Sequence, residues 1–332
     1  MVGRRTIFTN LPTYQSTNLP TYQPTNLPTY QPTNLPTYQS TNLPICQLTN
    51  LPIYHSTNLP LYQPTNLPIY QPMQFHNHRS VPYYTFPAFA AFPGLMHAVL
   101  TRQGGVSPAP WDSLNLGWTV GDTEARVEAN YQRWAAAFGL ERADLTTTWQ
   151  VHSAAILVAD AAHRRGSLGQ ADGLITRTPG IPLVQRYADC TPILAYDPAQ
   201  RACGIAHAGW LGTARRCAEA LIQAMQNTFG SDPADIVAAI GPAIGPCCYE
   251  VGPDVIAAVH DSQTDPTSLL IPTRPGHARL DLWQANARQL AESGVKRIEL
   301  AGICTACQRH TFFSHRGDKG QSGRFSAFIM IR

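Results

Sequence analysis

Apolar and polar positions along the chain follow two regimes that meet near residue 73. Beyond about residue 92, short alternating apolar stretches mix with stretches of helical period. Residues 95–101 alternate and stop before Gly104-Gly105, which predicts a strand and a turn. Asp122 then stands as the N-cap of a helix running to Phe138, because Val127, Tyr131, Trp134 and Phe138 recur at helical spacing. Strand-like segments follow at 146–151, 154–159, 173–176, 181–187, 193–196 and 203–206, and further on at 236–240, 297–300 and 324–331. Helices are expected at 213–229 and 282–293. Strands arrive in runs with helices between the runs, so the pattern predicts a mixed α/β (α+β) domain of more than one sheet layer and no regular βαβ alternation.

Before residue 73 the rhythm is that of a repeat. From Thr9 to Pro72 an octapeptide of the form TNLPTYQP occurs in eight copies, without a single Asp, Glu, Lys or Arg. A Pro at the fourth position of each copy removes a ladder donor and biases the residue before it to extended backbone. Residues 1–82 are therefore expected to be a disordered repeat and linker, and 83–332 a single catalytic domain. Met73 directly follows the last copy, and an intact mass beginning there would remove the repeat from the mature protein.

Charge narrows the partners. The net charge of +3 comes from Lys and Arg scattered singly, with no basic run to track a phosphate backbone or an acidic bilayer, so nucleic acid and membrane are not expected partners. No apolar run approaches the ~20 residues needed to span a bilayer. The first eight residues lack an apolar core behind their two Arg, so a cytoplasmic protein is expected, with no obligate protein partner. Eight cysteines in that setting read as thiols, Cys203 and Cys217 as small buried hydrophobes.

Three of the polar side chains share one local setting. His152 in WQVHS, Cys190 in YADCTP and His207 in IAHAGW each end an apolar, strand-like stretch, and strand ends converge on one rim of a sheet. Two imidazoles and a thiolate suit Zn²⁺ and leave a fourth position open, as catalytic sites require. Satisfied core side chains are the bland alternative, since spacings of 38 and 17 residues match no local metal motif. A Cys190 nucleophile with His207 as its base is the other chemical alternative.

The strings RQGGVS, NLGWTVGD, WQVHSA, ADGLITRTPGIPLVQRYADCTPI, GIAHAGWLGT, AIGPAIGPCCYEVG, LDLWQAN and CTACQRHTFFSHRGDKGQSGRFSAFIMI, in this order, closely resemble the YfiH or laccase-domain family of purine nucleoside phosphorylases. That family is also called multicopper polyphenol oxidase-like, or peptidoglycan editing factor. The resemblance implies a single domain of stacked mixed sheets flanked by helices, a YfiH-like sandwich, with metal-binding and catalytic residues at His152, Cys190 and His207. It implies a zinc enzyme, with copper as the other candidate ion. Its substrates would be purine nucleosides and phosphate: phosphorolysis of adenosine, inosine, guanosine and methylthioadenosine, and deamination of adenosine. Removal of a mis-incorporated serine from a peptidoglycan precursor and copper-dependent polyphenol oxidation are the family's other implied activities. Phosphorolysis needs cations for phosphate, and the candidates are Arg102 beside Gly104-Gly105 and the C-terminal group His315, Arg316 and Arg324.

One position departs from the family's HAGWRGT: here it is HAGWLGT, with Leu211 in place of Arg. The loss of a cation predicts that deamination exceeds phosphorolysis, unless Arg215 or Arg216 compensates. Three further features are ambiguous. Asp189 is as readily structural as catalytic. Cys304-x-x-Cys307 with His310 resembles half of a structural zinc site and lacks a second pair. Cys247-Cys248 follows a Gly-Pro-rich stretch that suits either a ligand loop or a plain turn.

Overall fold

The computed structural model describes residues 68–332. Its strands form two seven-stranded mixed sheets and a three-stranded ribbon. The first sheet runs β1 (Ile69–Tyr70), β16 (Arg297–Leu300), β12 (Val237–Ile240), β10 (Thr191–Asp197), β11 (Ala202–Ala208), β8 (Gly173–Thr176) and β6 (Ile156–Val158). The second runs β2 (Gln74–His78), β3 (Val81–Thr85), β4 (Leu95–Leu100), β17 (Phe325–Ile331), β9 (Leu183–Tyr187), β5 (Thr146–Trp149) and β7 (Gly166–Gln170). The ribbon is β13 (Glu250–Val251), β15 (Ala278–Leu280) and β14 (Leu270–Pro272). Five α-helices among the described residues accompany them: α1 (Glu124–Ala137), α2 (Trp210–Ala214), α3 (Cys217–Phe229), α4 (Pro253–Ser262) and α5 (Leu282–Glu292).

Side-chain alternation stacks these elements into layers. On β10, Ile193 and Ala195 face a core shared with α3 and α5, whereas Leu194 and Tyr196 face the second sheet, where they meet Leu183, Tyr187, Phe325 and Ile329. The far side of that second sheet carries Ala98, Leu100, Val184 and Phe328 against Val127, Tyr131 and Trp134 of α1. The result is helix, sheet, sheet, helix: the strand pattern predicts more than one sheet layer, and the resemblance implies the stacked sandwich flanked by helices. No helix among the described residues is long and apolar enough to cross a membrane.

Three local expectations give way to tertiary bonding. The helix predicted over 213–229 breaks at Arg216, which sits at φ 58°, and α3 starts only at Cys217. The Thr213 carbonyl, which a continuous helix would offer to the amide four residues on, accepts instead from the Arg216 amide three residues on and from the Gln263 and Gln289 side chains, and its hydroxyl accepts from Asn286. Asp122 does not cap α1. Thr123 occupies that position, while the Asp122 carboxylate accepts from Ser107 and Asn115. Residues 69–82, expected in the linker, instead supply β1, the β2 strand and the start of β3: Ile69 and Tyr70 pair with Glu299 and Leu300, and Met73 is buried in the inter-sheet core. The extended backbone expected of Pro-flanked residues is what an open strand edge requires. The octapeptide copies before residue 68 lie outside the described residues.

His97 on β4 makes the fold sensitive to acid. Its Nε2 accepts from the Phe86 amide at 2.8 Å, and burial, with a smaller push from His76, lowers its pKa from 6.5 to about 3. The folded state thus resists a proton that the unfolded state takes up below pH 6.5, so this contribution is intact above that pH and is lost as pH falls toward 3. Between pH 7 and pH 5 the loss should be about 2 kcal/mol. Urea midpoints of the wild type and His97→Gln, whose amide oxygen can still accept from Phe86, test it. The variant should show a shallower acid slope, and equal slopes would rule His97 out as the cause.

Candidate metal centre

One buried carboxylate organises the rim where the two sheets meet. Asp172, fully buried just before β8, accepts from the backbone amides of Val151, His152 and Ser153, from the Ser153 hydroxyl, and from His207 Nδ1 at 2.9 Å. Burial alone would raise its pKa, but the hydrogen bonds from His207 and Ser153 outweigh that and hold it at about 2. The carboxylate therefore stays ionised and fixes the loop after β5, where His152 takes a left-handed φ of 56°.

Register brings the other two groups to the same place. Thr191 pairs with Ala208 and Pro192 with His207 across β10 and β11, so Cys190, just before β10, lies opposite Gly209. The candidate ligand atoms of His152, Cys190 and His207 all lie within 4.8 Å of one another, with His152 exposed and His207 buried. The His152 and His207 rings are 5.0 Å apart between centroids.

This set fits a divalent ion of borderline softness. With Nδ1 engaged by Asp172, His207 presents Nε2, the arrangement by which a carboxylate fixes the tautomer of a metal-binding histidine. Burial lowers the pKa of His207, against the pull of Asp172 and with help from His152, which keeps the imidazole in its neutral, ligating form. Burial and Asp189 push the Cys190 thiol up to about 12. A thiol held so high is a poor unaided nucleophile at neutral pH, and a cation against Sγ is what would stabilise its thiolate. Gly209 leaves the room: a Cβ there would fall 2.7 Å from Cys190 Sγ and 3.2 Å from His152 Nδ1.

The three groups open into a cleft of ≈ 790 Å³. Of the predicted cations, His315, Arg316 and Arg324 line it, and so do Arg142 and Arg186, which sequence reasoning did not single out. Arg102 is not among the lining residues. It donates to the Asp112, Arg309 and Pro110 carbonyls, pairs with Asp112 and lies over the Phe313 ring, fastening the loop at 108–113 to the C-terminal segment. Neither candidate for replacing the missing cation near Leu211 lines the cleft: Arg215 donates to the His152 carbonyl and Arg216 pairs with Glu219 and Glu292.

Asp189, left ambiguous by the sequence, sits at φ 83° in the turn before Cys190. Its carboxylate accepts from the Thr305 hydroxyl and the Arg316 amide, both at 2.6 Å, and so pins the C-terminal segment over the cleft. Arg316 in turn lies over the Tyr249 ring at 5.2 Å. Trp118, Trp149, Trp210 and Tyr249 give the walls aromatic faces. Asp172 is the central residue that sequence reasoning missed. Its only available signal was a carboxylate at the start of a strand able to pair with that of His207.

Comparison with known proteins identifies the family of the chain. Residues 96–332 match the family described as multi-copper polyphenol oxidoreductase laccase, and residues 9–46 match the PT disordered repeat. The chain is 39% identical over 252 residues to the purine nucleoside phosphorylase YlmD of Geobacillus stearothermophilus, covering 72% of this chain and 90% of that protein. It is 38% identical to a purine nucleoside phosphorylase of Deinococcus radiodurans, covering 70% and 88%. The crystal structure of YlmD from Geobacillus stearothermophilus superposes with a TM-score of 0.73 at 36% identity, covering 79% of this chain and all of that one.

Proposed function

The chain belongs to the multi-copper polyphenol oxidoreductase laccase family, and from that membership and its cleft we propose a metal-dependent enzyme of purine nucleosides. It phosphorolyses adenosine, inosine, guanosine and methylthioadenosine and deaminates adenosine. The observation that carries this reading is the meeting, in one cleft, of a His/Cys/His ligand set with aromatic walls and the guanidinium groups of Arg316 and Arg324. Nucleoside phosphorylases among the relatives support it.

His152 and His207 would hold the ion through imidazole nitrogen and Cys190 through Sγ. Zinc suits the set, and copper is the other ion it accommodates. When bound, such an ion supplies a Lewis acid and draws the pKa of water toward neutrality. The protein's own groups do the rest. Asp172 keeps the proton on His207 Nδ1 and so orients the ring. Trp118, Trp149 and Tyr249 offer faces on which a purine can stack. Arg316 and Arg324, with His315, would hold phosphate against the anomeric carbon. There a phosphate oxygen forms a bond to carbon as the bond to the base nitrogen breaks and the base leaves with the electron pair.

Leu211 sets the balance between the two reactions. With Arg215 and Arg216 engaged elsewhere, nothing replaces the cation lost at Leu211, phosphate is left to His315, Arg316 and Arg324 alone, and deamination of adenosine should outpace its phosphorolysis. Incubating the pure protein with adenosine, with and without phosphate, and separating the products tests both statements. Inosine should form in either case, and adenine only with phosphate and more slowly, with Leu211→Arg raising adenine release. Adenine outrunning inosine would overturn the ratio. Absence of both products, or hydrolysis of a muramyl-serine substrate in their place, would overturn the function.

A further inference from the structure

The CxxC at the C-terminal end of the chain does have a second pair. Cys247 and Cys248 stand in the loop between β12 and β13, Cys304 and Cys307 in the segment after β16, and the four sulfurs all lie within 4.8 Å of one another. Cys307 Sγ is 3.4 Å from Cys248 Sγ and 3.6 Å from Cys247 Sγ. The Gly245 amide points at Cys304 Sγ from 3.2 Å, a contact that suits a thiolate acceptor. Four thiolates around one tetrahedral ion, with bonds of about 2.3 Å, stand about 3.8 Å apart, a spacing that the two short contacts and the 4.8 Å limit on the whole set accommodate. The sulfurs are too close together to surround a multi-iron cage. A single disulfide would use two of them and leave the convergence of the others unexplained.

We propose that Cys247, Cys248, Cys304 and Cys307 form a second, structural site for a zinc ion, separate from the His152, Cys190 and His207 set. The four thiols release their protons to solvent as the ion binds. What the ion does follows from where the two segments lead. Residues 241–249 and 301–316 are irregular and meet through a few backbone contacts, Ala243 bridging Cys304 and the Ala243 carbonyl accepting from Thr305. Gly245 packs so closely on Trp283 and Cys304 that a Cβ would come within 2.5 Å of the Trp283 ring. Directly beyond these contacts lie Tyr249, Thr305 and Arg316, which wall the cleft or hold Asp189. A thiolate-bound ion therefore staples together the two loops that shape the cleft, while no cysteine of the set lines it.

The test is metal content of the full-length protein, purified with reductant and without added metal. Wild type should carry one equivalent of zinc more than Cys247→Ser/Cys307→Ser, and His152→Ala/Cys190→Ser should keep that equivalent. Zinc-edge X-ray absorption of the latter protein should then give an all-sulfur shell. This holds even where the cysteine variant does not fold, and it is independent of whether the enzyme acts on nucleosides. Absence of metal from His152→Ala/Cys190→Ser, iron in place of zinc, a shell containing nitrogen, or a Cys247–Cys307 or Cys248–Cys307 disulfide in the purified protein would each overturn the assignment.

Discussion

His152→Ala is expected to lower kcat/KM for adenosine by more than about 100-fold, the loss that outer-shell partners of a metal already reach. The residue is the cleanest of the three ligands to remove, because it is the exposed one and its backbone amide, not its ring, ties the loop to Asp172. Truncating the imidazole leaves that amide bond in place, so the metal-free variant and the metal-free wild type should agree in thermal stability within about 0.5 kcal/mol, as for other substitutions of exposed side chains. Both reactions should fall together if one ion serves both. Steady-state rates for inosine and adenine formation, measured beside a melting curve, decide the matter. Activity within about threefold of wild type, with the fold intact, would remove His152 from the centre.

Asp172→Asn should have the second largest effect, a loss of about 10- to 100-fold in metal affinity and activity. The carboxylate accepts every hydrogen bond it makes: three from backbone amides, one from Ser153 and one from His207. An amide of the same size has one oxygen with which to accept and brings two N–H donors into a site already full of donors. Where its nitrogen faces His207, the ring must turn its lone pair to Nδ1 and carry the proton on Nε2, the atom that should face the ion. Because Asp172 is held ionised down to about pH 2, the wild-type arrangement persists across the whole working range, whereas the variant lacks it at every pH. Stoichiometry and apparent affinity from a zinc titration of the metal-free variant test this. Affinity equal to wild type would show that Asp172 serves only the fold.

Where sequence and structure part company, the cause is tertiary. Strands such as β8 and β16 are legible because their apolar runs are bounded by turn residues, and α5 because its stripe is preceded by Asp281, whose side chain accepts from the Gln284 amide. The break at Arg216 is invisible locally, since it depends on amides from residues 263 and 289 that satisfy the Thr213 carbonyl. The β13–β15 ribbon is too short to leave a periodic trace, and α4 hides behind a Gly-Pro that reads as loop although Pro suits a first helical turn. Among the site residues, His152, Cys190 and His207 are visible as polar groups at the ends of apolar strands. Asp172 and the Cys247-Cys248 pair are not, because their partners lie 19 to 60 residues away in the chain. Arg102 misleads for the opposite reason: a cation beside two glycines looks like an anion site until its carbonyl and Asp112 partners are seen.

The most direct test is an anomalous difference map from crystals of the active full-length protein, with data collected on both sides of the zinc edge. The account predicts a zinc peak within coordinating reach of one imidazole nitrogen from each of His152 and His207 and of Cys190 Sγ, facing the cleft. Crystals of an active preparation whose map is featureless at that point would contradict it.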